Sequence, residues 1–211
     1  MKVKLLNITP DAEDHIVEIA RVSSKRKNKR QNATKLIRYL IKHKHWSPFE
    51  HAHLTFEIET SKAIGIQLIR HRSFSFQEFS QRYQDVKELG DIFEPVALRR
   101  QCDNNRQSST EPFNPDISME FSQPAQMQVT ALLAKAASLY TKLLDAGVAR
   151  ETARMVLPLA TKTKIHMTGS VRSWMHFLEL RDDEHAQLEI QEIAREIRKQ
   201  MTEHLPNVMA A

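Results

Sequence analysis

The chain has 211 residues, 41% hydrophobic and 27% charged, with a net charge of +5 at pH 7 and a pI near 9.3. Such a length suits one domain with a real apolar core. It holds only four glycines, and neither G-x-G-x-x-G nor G-x-x-x-x-G-K-[ST] occurs, which excludes a Rossmann fingerprint and a P-loop; its one cysteine, Cys102, excludes an intrachain disulfide.

Val3 to Asn7 reads as a short strand, and the sequence around Met1-Lys2-Val3-Lys4 lacks the apolar core of a signal peptide. No run reaches the length of a membrane span, so the expected setting is cytoplasmic, without membrane contact. Thr9-Pro10-Asp11 predicts a helix start, with Thr9 as N-cap and Pro10 at the first helical position, and the helix runs to about Val22. A basic loop, Ser23 to Arg30, precedes a second helix from about Ala33 to Lys44.

His51 to Glu59 alternates: Ala52, Leu54, Phe56 and Ile58 face one side, and His51, His53, Thr55, Glu57 and Glu59 the other. Period two with one apolar face predicts a strand of an antiparallel sheet. Ser61 to Arg70 switches to helical spacing, with Gln67 and Arg70 on the side opposite Ile64, Leu68 and Ile69. Ser80 to Val86 is expected as a further strand, and Asp103 to Asp116, rich in Asn, Ser, Gln and Pro, as a mobile loop or insertion. A long helix follows from about Ser118 to Asp145, interrupted near Pro124 and stopped at Gly147. Then come a helix at Ala149 to Val156, a strand at Thr161 to Val171, and helices at Arg172 to Arg181 and Glu184 to His204.

The most informative stretch is Arg70-His71-Arg72-Ser73-Phe74-Ser75-Phe76-Gln77-Glu78-Phe79-Ser80-Gln81-Arg82-Tyr83. Guanidinium groups are planar forks that match phosphate oxygens, and a hydroxyl can complete such a site. The pattern Arg-His-Arg, seven residues, Ser-x-Arg-Tyr resembles the signature of the flavin-dependent thymidylate synthases, the ThyX family. Three more segments match in order: His45-Trp46-Ser47-Pro48-Phe49-Glu50-His51, Arg150 to Pro158, and Arg172-Ser173-Trp174 through Leu180-Arg181.

The resemblance implies an α+β fold with a largely antiparallel sheet flanked by helices, one domain per chain, assembled as a homotetramer. It implies reductive methylation of dUMP to dTMP, with methylenetetrahydrofolate as carbon donor, NADPH as reductant and tightly bound FAD. Carried over by residue, Gln67, Leu68, Ile69, Arg70, Glu78, Phe79, Ser80, Gln81, Arg82 and Arg154 contact dUMP, as does Arg181, the catalytic residue that stabilises the polarised uracil. Ser23, His45, Ser47, Arg70, His71, Arg72, Glu78, Ser170, Arg172 and His176 bind FAD. Ser170 and His176 stand where some members carry asparagine. No protein nucleophile is needed, which fits the polar, unremarkable setting of Cys102.

Two other readings use residues of the same chain. A nucleic-acid-binding module would use the runs Lys25 to Arg30 and Arg70 to Arg72, with steep salt dependence. A metal enzyme would use His45, His51 and His53, two of them on one strand face, but no third ligand follows at recognisable spacing. The expected answer is no metal and no nucleic acid.

Overall fold

A computed structural model describes residues 1–22, 33–118 and 122–211; the basic loop and Ser23 lie outside the described residues. Strand β1 (Lys2–Ile8) and helix α1 (Ala12–Ala20) precede α2 (Ala33–Lys42). A 3-10 turn at Ser47–Glu50 leads to β2 (His53–Ser61), α3 (Lys62–Leu68) and β3 (Ser75–Glu78). Two short pairs follow, β4 (Arg99–Gln101) with β5 (Ser109–Pro112) and β6 (Asp116–Ser118) with β7 (Ser122–Pro124), both antiparallel. Then come α4 (Ala125–Asp145), α5 (Arg150–Ala153), a 3-10 turn at Arg154–Val156, β8 (Lys162–Ser170), α6 (Val171–Arg181), α7 (Leu188–His204) and α8 (Pro206–Met209).

The main sheet has the order β1-β2-β8-β3. Side chains across β2 and β8 fix the direction of that pair. Thr55 meets Thr168 at 2.9 Å, Glu57 meets His166 at 3.0 Å and Glu59 meets Lys164 at 3.0 Å. Rising numbers on one strand meet falling numbers on the other, which is antiparallel pairing. Leu54, Phe56 and Ile58 are buried and the residues between them are half-buried or exposed, as their alternation predicts. The α+β class with an antiparallel sheet is therefore borne out.

The chain divides into two compact units. The first comprises residues 1, 59–68 and 78–165; its core joins Val86, Tyr140 and Ala153 to Ile92, Leu143, Leu144 and Leu157. The second comprises residues 2–58, 69–77 and 166–211. There Trp174 packs edge-on against Phe56 at 4.9 Å and Phe74 at 4.6 Å, and its indole Nε1 donates to the Leu54 carbonyl at 3.2 Å. Ile190, Ile193, Ala194, Ile197 and Met201 turn one face of α7 into the same apolar interior.

Several expected boundaries move, each for a visible reason. Thr9 is not a cap: its N–H donates to the His53 carbonyl at 3.0 Å and its Oγ1 accepts from the His53 N–H at 2.9 Å. The N-cap is Asp11, in the left-handed region at φ 48°. The strand expected at Ser80 to Val86 is instead β3 at Ser75–Glu78, because the Ser80 carbonyl accepts from the N–H groups of Tyr83 and Gln84 and turns the chain. Within Asp103 to Asp116 lies ordered β5. Its polar residues hold β4 by side-chain pairs, Arg99 to Ser109 at 2.8 Å and Arg100 to Glu111 at 2.6 Å. The long helix begins at Ala125, after Pro124, and not at Ser118; the last long helix begins at Leu188 and not at Glu184. His51 is not on the strand with His53 but closes the 3-10 turn, its N–H on the Pro48 carbonyl.

Candidate active site

In the first unit, α3 ends at Gln67 and Leu68, and Leu68 is fully buried. Gly65 lets α3 lie close to β8: a Cβ there would stand 3.2 Å from both Ile165 and Thr163. Glu78, at the end of β3, accepts from Lys62 Nζ at 2.8 Å and from Thr163 Oγ1 at 2.7 Å, both on its Oε1. Two donors on one oxygen fix the carboxylate plane and leave Oε2 for another partner. The Phe79 N–H then donates to the Lys164 carbonyl at 2.8 Å, and the Ser80 turn carries Gln81 and Arg82.

Ser80, Arg82, Tyr83, Ala149, Arg150 and Glu151 line a hollow of about 420 Å³. Arg82 reaches Glu151 at 3.3 Å in an exposed ion pair of little strength, and Arg154 Nε donates to the Glu151 carbonyl at 3.3 Å. Gln81 is buried, and its Nε2 has no hydrogen-bond partner among the described residues, an unusual state for a buried amide.

In the second unit, Ser170 caps α6 by accepting the Ser173 N–H at 3.2 Å. Its Oγ donates to Glu50 Oε2 at 2.6 Å, while Arg172 Nη1 donates to Glu50 Oε1 at 2.8 Å. Burial raises the Glu50 pKa, but the hydrogen bonds from Ser170 and Arg172, with the charges of Arg172 and His53, outweigh it and hold the carboxyl below its ordinary value. One carboxylate thus ties the Ser47–Glu50 turn to the start of α6.

Arg172 and His176, four residues apart on α6, both line a cavity of about 980 Å³ with Lys44, Trp46, Glu50 and Arg198. His45 and Ser47 are exposed on either side of Trp46 in the chain. Arg70 and Arg72 are exposed, and His71 is half-buried. Arg181, the last residue of α6, donates from Nε to His71 Nε2 at 2.9 Å. Burial, then the charges of Arg181 and His176, push the His71 pKa down to about 4. Burial also lowers that of Arg181.

Of the sequence-predicted residues, Ser80 and Arg82 are brought together in the first unit, with Arg154 one hydrogen bond from the hollow's Glu151. Ser170, Arg172 and His176 are brought together in the second, as are His71 and Arg181. Glu50, Lys62 and Thr163 were missed as supporting groups. Glu50 stood inside the matched His45 to His51 segment, and its place next to an aromatic and a histidine was the only available signal. No group of three or more His, Cys, Asp or Glu among the described residues is placed to hold a metal ion. No helix among them is long and apolar enough to cross a membrane.

Together these features define a class: an α+β enzyme built around arginine-rich hollows instead of glycine-rich loops. A family model described as thymidylate synthase complementing protein, Thy1, matches residues 4–207. A flavin-dependent thymidylate synthase from Synechocystis is 44% identical over 94% of this chain and 88% of its own length. Another from Thermosipho melanesiensis is 36% identical over 97% and 86%. The crystal structure of a UMP/dUMP methylase, PolB, from Streptomyces cacaoi bound with 5-Br dUMP superposes with a TM-score of 0.78 at 29% identity, covering 99% of this chain and 93% of that one. The chain belongs to the flavin-dependent thymidylate synthase family.

Proposed function

We propose that this chain acts as one catalytic domain that methylates dUMP reductively to dTMP, taking carbon from methylenetetrahydrofolate, electrons from NADPH through FAD, and releasing tetrahydrofolate. The observation that carries the reading is the cavity of about 980 Å³ in the second unit, whose lining sets Lys44, Arg172 and Arg198 against Glu50 and Glu179 beside Trp46. Three cations and an indole suit an anionic dinucleotide with flat rings. FAD is the fitting occupant, with Arg172 and His176 in the lining; Ser170, His45, Ser47, Arg70, His71, Arg72 and Glu78 are the further FAD contacts of this reading. Bound there, it supplies the hydride chemistry that no side chain can.

The chain's own work is binding and electrostatics. Ser80, Gln81 and Arg82 take the nucleotide's anionic end, with Arg154, and Gln67 to Arg70, Glu78 and Phe79 complete its contacts. Arg181 stabilises negative charge on the pyrimidine as its ring is polarised, which speeds the step that needs that charge. The active form is a homotetramer in which several subunits build each flavin site. Purified protein mixed with FAD and passed through a desalting column should keep the flavin visible absorption band at near one per chain. A colourless protein with no FAD uptake by fluorescence titration overturns the reading.

A further inference from the structure

We propose that His71 is a positioning residue for this reaction: its unprotonated Nε2 accepts the Arg181 Nε–H and so aims the two Nη groups of the guanidinium at the substrate. The proposal rests on the reading of Arg181 as the group that polarises the pyrimidine.

The geometry is specific. Arg181 spends Nε on His71 at 2.9 Å, and neither Nη has a hydrogen-bond partner among the described residues. An arginine has only donors, so the imidazole nitrogen it meets must carry a lone pair, which makes His71 the neutral Nδ1–H tautomer. The ring itself is clamped. Phe177 lies 4.9 Å away and Phe74 lies 6.3 Å away, both edge-on. Phe177 precedes Arg181 by four residues on α6, so the clamp and the guanidinium share one helix face. Phe74 is in turn packed on Trp174 at 4.6 Å.

The choice of acceptor has a chemical consequence. The obvious partner, the adjacent Asp182, is taken by Arg195 at 3.1 Å and Arg198 at 2.6 Å. A carboxylate on Arg181 would orient it but also compensate its charge. A neutral imidazole orients it and leaves the whole positive charge for the substrate. Burial, then the charges of Arg181 and His176 on α6, keep the ring neutral; Arg70 and Arg72 flank it in the chain.

The test compares H71F, which keeps an aromatic ring against Phe177 and Phe74 but has no acceptor, with H71Q, which restores a neutral acceptor, and with Arg181→Ala. H71F should lower kcat about ten- to a hundredfold with KM for dUMP nearly unchanged, short of the loss for Arg181→Ala, and H71Q should recover most of the rate. H71F at the parental kcat while Arg181→Ala is slow overturns the positioning role alone. Arg181→Ala at the parental kcat overturns the underlying reading and the proposal with it. A measurement on the unaltered, FAD-loaded protein covers the case where a variant does not fold. In ¹⁵N-histidine spectra at neutral pH, His71 should show an unprotonated Nε2; an Nε2–H signal overturns the proposal.

Discussion

Arg154 and Arg181 carry the same charge but sit in different settings, and the difference predicts different kinetics. Arg154 belongs to a short 3-10 turn, its Nε on a backbone carbonyl. Arg181 is oriented by a side chain and partly desolvated, which strengthens its interaction with charge that appears during reaction. Arg154→Ala should therefore mainly raise KM for dUMP, as the loss of uniform binding does, while Arg181→Ala should lower kcat by about 10²–10³-fold. Steady-state kinetics at saturating folate and NADPH check the pair; equal kcat losses would dissolve the distinction. The signature arginines were legible because the spacing of Arg-His-Arg, Ser and Arg-Tyr lies in one short run of sequence. Their supports were not. Glu50 meets Ser170 across 120 positions and His71 meets Arg181 across 110. Only folding creates such pairs, and no local pattern announces them.

Elements were legible where one face is buried. β2 and β8 each alternate over nine residues, and burial follows the alternation, so sequence period and fold agree. β3 has four residues, none fully buried, and β5 reads Ser-Thr-Glu-Pro, all exposed. Strands of that kind are held by ladder hydrogen bonds and side-chain pairs, which leave no hydrophobic period to detect. Gly169 within β8 and Gly65 in α3 beside it give the fold a sharper test. A Cβ on Gly169 would stand 2.4 Å from the Phe74 ring, and that ring is already packed on Trp174. Gly169→Ala should cost about 1–3 kcal/mol through overpacking, seen as a lower urea midpoint, and should disturb the ring that clamps His71. At Gly65 the nearest atoms are the ends of Ile165 and Thr163 at 3.2 Å, and alanine is favoured over glycine in a helix by about 1 kcal/mol. Gly65→Ala should lie much closer to the parent. An unchanged midpoint for Gly169→Ala would mean that Phe74 can move, against the clamp described for His71.

At the scale of the whole molecule, helix α4 exposes two leucines on one face. Helix α4 has 21 residues, yet only Ala125 and Tyr140 on it are buried. Leu132 and Leu139, seven apart and so on one face, are 63% and 48% exposed. Contiguous exposed apolar surface marks protein-binding faces, whereas apolar residues scattered singly do not. The proposed homotetramer supplies the occupant, another copy of this chain. Leu132→Glu would place a charge in that contact, and a buried unpaired carboxylate costs several kcal/mol. Light scattering on the eluting protein should then show a mass below that of the tetramer, falling further on dilution because association is a mass-action equilibrium. If several subunits build each flavin site, retained FAD and turnover should fall together with the mass. A variant that stays tetrameric with full flavin content would move the assembly contact away from this face of α4.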